Sequence, residues 1–268
     1  MKSNPVQNIL ESKIIACVAS LHPGQTGKCL DLLTAINVIR VSGTGALVYH
    51  APSKGIEPDD FKEYEWTFAD MLRSVKNLER YDILANTSRA ASAKEAIDAA
   101  RAGEELFYSV RLICKHQTRP IIKLEVLNDK LNSVNSEVII ATKELIINDR
   151  FTVVPLLSPN IDDITACAKI GAPLVRVQSG NIGKRSGVIH TPDLQSIIAH
   201  SPIPIILEGG IDTIYDAKQA YGLGAAGILL NSAFRFSPNP TELALQLRKV
   251  ADSFSFTSTA PLRSAVNE

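Results

Sequence analysis

Short apolar runs rich in isoleucine and valine alternate along this chain with segments of helical periodicity. The runs predict eight strands, at Lys13–Ser20, Asn37–Gly43, Tyr81–Thr87, Ile121–Leu127, Phe151–Ser158, Leu174–Ser179, Ile203–Gly209 and Ala226–Ser232. Near-continuous apolar runs, as opposed to strict alternation, mark strands covered on both faces. Between them, Ser92 to Glu95 has the S-x-x-E spacing of a capping box. Behind it, Ala96, Ile97, Ala100 and Phe107 fall near one helical stripe. Ser136–Asp149 repeats the pattern with Val138, Ile139, Leu145 and Ile146, and Asn160–Gly171 ends on a glycine suited to a left-handed C-cap. Asp212–Gly224 and Thr241–Phe254 behave alike. Alternating strands and helices build parallel sheets, and eight units predict an α/β fold, a (β/α)8 TIM barrel, as a single domain over residues 1–268. A doubly wound open sheet is the alternative.

Two segments break the rhythm. Residues 43–66 hold Gly45, Pro52, Gly55 and Pro58 with acidic Asp59, Asp60, Glu63 and Glu65, and read as an irregular excursion after the second strand, a solvated loop in preference to a lid. Residues 255–268, rich in Ser, Thr and Ala, are expected to be a mobile tail.

Composition narrows the function classes. The chain carries 28 basic and 28 acidic residues, a formal net charge of zero, which argues against nucleic-acid or membrane-surface partners. No apolar run approaches the ~20 residues of a membrane span, and MKSNPVQNILESK lacks a secretory signal's apolar stretch. Cys17, Cys29, Cys114 and Cys167 form no C-x-x-C pair, so a reduced, cytoplasmic protein without a zinc site is expected.

Side chains alternate across a strand, so Lys123 and Glu125 in IIKLEVL share a face, opposite Ile122, Leu124 and Val126. The apolar set belongs against the helices, which turns the charged pair into the barrel. A structural ion pair is one explanation. The functional one is a Schiff-base lysine, with Glu125 and Glu208 of IPIILEG moving protons. Arg40 and Arg176, both placed on strands, are possible pocket charges that would favour the free amine. At the ends of the last strands, Gly209 and Gly210 let backbone N–H groups approach an anion, while Asn231 and Ser232 add polar side chains. Gly183 in SGNIGKRSG could close the cup. Each glycine alone is more often a turn residue; their joint placement favours a sugar-phosphate site.

From about Tyr81 to Leu247 the chain resembles the thiazole synthase family of bacterial thiamine biosynthesis. The segments that carry this are ILANTSRAASAKEAIDAAR, IKLEV, FTVVPLL, NIGKRSG, PIPIILEGGI and DAKQAYGLGAAGILLNSAF. The resemblance implies that Lys123 forms an imine with 1-deoxy-D-xylulose 5-phosphate and that Glu125 is its acid/base partner. It implies that Gly183, Gly209, Gly210, Asn231 and Ser232 hold the substrate and its phosphate. It also implies a small ubiquitin-like sulfur-carrier protein whose C-terminal Gly-Gly thiocarboxylate supplies sulfur, dehydroglycine for the remaining ring atoms, a homo-oligomer, and no metal or other cofactor. The chain departs from the pattern at Glu208, where the family usually has Asp, and at Arg176, where the residue is usually apolar. The family's paired arginines near strand two are not recognisable, with only Arg40 near there.

Three functions follow as expectations. The first is a thiazole synthase-like transferase making thiazole phosphate. The second is related Schiff-base sulfur insertion into another sugar phosphate, giving a 2-thiosugar. The third is a non-catalytic barrel scaffold that binds a sulfur-carrier protein.

Overall fold

A computed structural model of the chain describes residues 5–18, 30–51, 62–63, 66–87, 90–113, 115–189 and 191–254. Eight strands form one sheet: β1 (Ile14–Ala16), β2 (Ala46–His50), β3 (Asp82–Asn86), β4 (Ile121–Leu124), β5 (Val153–Leu157), β6 (Val175–Gln178), β7 (Ile205–Glu208) and β8 (Gly227–Leu230). Every hydrogen-bonded pair is parallel, in the order β1-β8-β7-β6-β5-β4-β3-β2. β1 and β2 close the cylinder without a ladder. The Gly45 N–H donates to the Ile14 carbonyl at 2.9 Å, and the Thr44 hydroxyl accepts the Ala16 N–H at 3.0 Å. The expected (β/α)8 barrel is therefore present, and the open-sheet alternative is not.

Helices follow the strands because their caps and stripes are written locally. Asn160 accepts the N–H groups of Asp162 and Asp163 to start α6 (Ile161–Ile170), and Gly171 at φ 117° ends it. Thr213 and Asp216 form a reciprocal capping box at the start of α8 (Ile214–Gly222). At α4 (Ala93–Val110) the Ser92 hydroxyl accepts the Glu95 N–H, but the Glu95 carboxylate reaches one residue further back, to the Ala91 N–H. Ala96, Ala100 and Phe107 are fully buried on the predicted stripe, as are Val138 and Leu145 on α5 (Asn135–Ile147).

One strand assignment fails. Asn37–Gly43 is the second half of a helix, α2 (Leu32–Ser42), capped by the Asp31 carboxylate and ended by Gly43 at φ 58°. Ala35, Val38, Ile39 and Ser42 are its buried face, an i, i+3, i+4, i+7 series that the β-branched content of the run disguises. The true second strand, β2, lies inside the segment expected to be an excursion. Within that segment Lys62–Glu63 and Trp66–Thr67 also pair antiparallel. Residues 52–61 and 64–65, and the expected tail at 255–268, lie outside the described residues.

The two faces of the sheet do different work. Outward residues such as Ile83, Ile122, Val175 and Leu207 pack under the helices. Inward residues Ile15, Val48, Leu84, Ile121, Val154 and Ile206 form an apolar floor, which Val6 and Ile9 of the N-terminal segment plug from below. The plug, α1 (Gln7–Ser12), is fastened by Asp82, whose carboxylate accepts the Ile9 N–H at 3.1 Å and the Asn8 amide at 3.0 Å. Gly45 is needed at this seat, since a Cβ there would lie 2.1 Å from the Asn8 carbonyl oxygen. Apart from Asp82 at this seat, apolar side chains seal the floor, and the charged cluster of the interior lies toward the strand C-terminal ends.

Candidate active site

Alternation along β4 carries Lys123 and then Glu125 into the interior, on the same face as the floor residue Ile121. Arg176 of β6 and Glu208 of β7 enter from two and three staves further round the barrel. All four are buried, with Arg176 at 0 %, Glu125 at 1 %, Lys123 at 2 % and Glu208 at 5 % exposure. They form a closed quartet. Lys123 Nζ donates to Glu125 Oε1 and, at 3.3 Å, to Glu208 Oε1. Arg176 Nη1 donates to Glu125 Oε1 at 3.1 Å and to Glu208 Oε2. The remaining guanidinium donors are spent on backbone, Nε on the Val154 carbonyl at 3.1 Å and Nη2 on the Leu124 carbonyl at 2.7 Å.

Two cations and two carboxylates make the quartet neutral. Burial alone would lower the Arg176 pKa, but Glu208 and Glu125 more than reverse this and hold it above its ordinary value. The structure differs from expectation in how the cations act. The groups nearest Lys123 Nζ are carboxylates, and Arg176 lies across them. Arg40 does not join the site at all. It sits exposed in the last turn of α2 and donates to Asn37 at 3.2 Å, because its segment is a helix on the barrel's outside.

Above the quartet opens a small, partly open pocket. Lys123 and Glu208 line it together with Gly183, Gly209, Gly210, Asn231 and Ser232. Seven residues singled out from the sequence thus meet in one place, with Glu125 and Arg176 beneath them. Gly209 and Gly210 have φ of 85° and 81°. Moreover, a Cβ on Gly209 would fall 2.6 Å from the Gly180 carbonyl oxygen, and one on Gly210 would fall 2.3 Å from that of Gly187. The close approach these glycines permit is therefore first of all that of the loop after β6, which closes over them. The Gly187 N–H donates to the Gly210 carbonyl at 3.0 Å, and the Ser179 hydroxyl to the Gly209 carbonyl at 2.8 Å.

Four lining residues carried no sequence signal: Cys17, Ile182, Ile211 and Leu229. Three are plain apolar residues. Cys17 follows β1, where a lone cysteine in an apolar run reads as core. Burial pushes its thiol up to about 12, so it is protonated at neutral pH. Beside Lys123 on β3 stands Asn86, 1 % exposed, with neither amide atom hydrogen-bonded. Among the described residues there is no cluster of metal-ligating side chains, and no helix is long and apolar enough to cross a membrane.

Fold and site define a (β/α)8 barrel with an ion quartet of one lysine, one arginine and two glutamates beneath a glycine-walled pocket. The family model of the thiazole biosynthesis protein ThiG matches residues 61–262, and the chain belongs to that family. A thiazole synthase of Prochlorococcus marinus (strain NATL2A) is 33% identical over 174 residues, 64% of this chain and 63% of the relative. One from Azorhizobium caulinodans is 33% identical over 189 residues, 69% of this chain and 64% of the relative. The matches thus span a little under two thirds of those relatives' length. Among solved structures, the Amycolatopsis orientalis BexX/CysO complex aligns with a TM-score of 0.72 at 20% identity, over 90% of this chain and 88% of that one. A geranylgeranylglyceryl phosphate synthase from Thermoplasma acidophilum, in complex with sn-glycerol-1-phosphate, aligns at 0.56 with 15% identity, over 93% and 98%. At these identities the structural likeness concerns the fold.

Proposed function

We propose that the chain is a thiazole synthase-like enzyme that captures 1-deoxy-D-xylulose 5-phosphate as an imine on Lys123 and incorporates sulfur to give thiazole phosphate. One observation carries this reading: a buried lysine between two carboxylates lines the same pocket as Gly183, Gly209, Gly210, Asn231 and Ser232. Family membership supports the thiazole chemistry.

The quartet suits the first step. Nζ bonds to the ketone carbon, the carbonyl oxygen leaves as water, and the two protons lost from the ammonium leave with it, relayed by Glu125. The product iminium carries the charge the ammonium carried, so the two carboxylates face one positive nitrogen before and after. No buried charge is created or left unpaired. Glu208 then stands on the other side of that nitrogen, where it takes the proton from the neighbouring carbon and lets the carbonyl shift along the chain. Sulfur arrives as the thiocarboxylate of a small carrier protein, a partner suggested by the family and by the two-protein complex with the same fold. The phosphate is held by the loops after β6, β7 and β8.

Borohydride trapping with mass mapping tests this. An adduct of pentulose-phosphate mass on Lys123, absent in Lys123→Ala, is the expected result; no adduct with any phosphoketose overturns the reading. The Arg176–Glu208 pair favours one second reading, sulfur insertion into another sugar phosphate, because both positions depart from the family's pattern directly beneath the pocket. Preferential trapping of a hexulose phosphate would select it. A carrier protein that binds Lys123→Ala and the wild type equally, with no adduct in either, would instead leave a scaffold.

A further inference from the structure

We propose that Asn86 is a substrate-binding residue of this site, whose side-chain amide receives the hydroxyl on the carbon next to the ketose carbonyl. The inference rests on the imine reading of Lys123 and adds to it a determinant of which ketones are accepted.

Three observations converge on it. First, Asn86 is buried at 1 % exposure, yet neither Oδ1 nor Nδ2 has a hydrogen-bond partner. Buried amide groups are nearly always paired, and those that are not call for a reason. Other asparagine side chains here follow the rule. Asn8 binds Asp82, Asn135 binds Asp163, and Asn160 caps α6.

Second, Asn86 sits directly opposite Lys123 in the β3–β4 ladder, and both belong to the inward series of their strands, with Leu84 and Ile121 below them. Neighbouring parallel strands lie about 4.8 Å apart, so the two side chains leave the sheet side by side. Third, the polar groups on the Lys123 side of that position are already committed, while His50, the ladder partner of Asn86 on β2, is its polar neighbour on the other side. The Thr87 hydroxyl accepts the Glu125 N–H and donates to the Glu125 carbonyl, and the two glutamate carboxylates are engaged by Lys123 and Arg176. Asn86 is not itself among the residues lining the pocket and adjoins it through Lys123, so its amide is left for a group that reaches past the Lys123 nitrogen.

The chemistry of an amide selects that group. It offers one acceptor and two donors and no charge, which complements a hydroxyl and not a phosphate or carboxylate. A ketone held at Lys123 Nζ presents such a hydroxyl on the adjacent carbon, the same carbon that must lose a proton after imine formation. A site built to pair a hydroxyl discriminates strongly against an analogue that lacks it, since the protein's own polar group then stays buried and unpaired.

The test compares wild type and Asn86→Leu, using 1-deoxy-D-xylulose 5-phosphate and its 3-deoxy analogue, each trapped on Lys123 with borohydride over a concentration series. In the wild type the hydroxylated ketose should half-saturate at a concentration about tenfold lower than the analogue, and in Asn86→Leu the two should agree within about twofold. The leucine variant should melt at or above the wild-type temperature, because it removes an unpaired buried amide. A preference that persists in Asn86→Leu overturns the proposal, as does a variant that melts several degrees lower and weakens both ketoses equally. Should leucine fail to fold, Asn86→Ala takes its place with the same criteria. Thermal protection by the same two ketoses in Lys123→Ala separates the two claims. Hydroxyl-dependent protection that Asn86→Leu abolishes, without any adduct in the wild type, would sink the imine and keep Asn86. Adducts with unchanged discrimination would do the reverse.

Discussion

The barrel buries carboxylates at both of its ends and treats them in opposite ways. At the floor, Asp82 has no cation partner among the described residues and is held by one backbone N–H and one amide of the plug helix. Burial pushes its pKa up to about 6 against those hydrogen bonds. At the mouth, Glu125 and Glu208 are as deeply buried, but two cations bridge them into a neutral set. The lower carboxylate secures a structural plug at a cost near neutral pH. The upper pair is balanced by its two cations, an arrangement that the proposed imine chemistry would use.

The largest expected effect comes from unbalancing the mouth. Arg176→Met leaves two buried carboxylates sharing one lysine and strips donors from the Val154 and Leu124 carbonyls. It should lower unfolding free energy by about 3–5 kcal/mol, read from urea midpoints. Adding Glu208→Gln restores charge balance and should recover part of the loss. A double variant no more stable than the single one would mean that packing, and not charge, holds the quartet.

A smaller effect tests the floor. In the folded protein Asp82 keeps its proton up to about pH 6, against an ordinary value of 3.8. Between these values the folded state binds more protons than the unfolded chain, so this residue's contribution to stability falls as pH rises through that window and levels off above it. Asp82→Asn should remove that dependence. Its stability relative to wild type should therefore climb by about 2 kcal/mol from pH 4 to pH 6.5, whatever constant it loses from the altered hydrogen bonds. A flat difference across that range would show Asp82 to be as well solvated as a surface acid.

The smallest effect concerns Cys17, which touches both regions, packing in the floor cluster and lining the pocket. With its thiol held protonated at neutral pH, it should react slowly with iodoacetamide. Cys17→Ser should change the imine yield on Lys123 by less than about threefold, as expected of a side chain that shapes the pocket without entering the chemistry. Rapid alkylation at pH 7 would contradict this.

The sequence made the mouth legible and the floor largely not. Lys123 and Glu125 are two residues apart in an apolar strand, so alternation alone turns them inward, and strand order alone brings Gly183, Gly209, Gly210, Asn231 and Ser232 to one end. The quartet's cross-links are a different matter. They depend on Arg176, 51 residues beyond Glu125, and nothing local says which carboxylate it meets. Asp82 is tied to Asn8 across 74 residues, and its neighbours in sequence give no hint of a plug. Arg40 was misplaced for a local reason. NVIRVSG is rich in β-branched residues, and the helical signals that outweigh this, Asp31 at the start and Gly43 at the end, lie at its margins.

The joint between β1 and β2 has one further consequence. There a threonine hydroxyl stands in for a strand neighbour, so this stave junction has the fewest main-chain bonds to sever. Thermal breathing of the cylinder should begin along it, next to the stave that leads into Cys17. Lys123, Arg176 and Glu208 hang from staves on the continuous stretch of sheet, two or three junctions away. The molecule can therefore loosen one wall of its cup for passage of a ligand while the reacting groups keep their spacing.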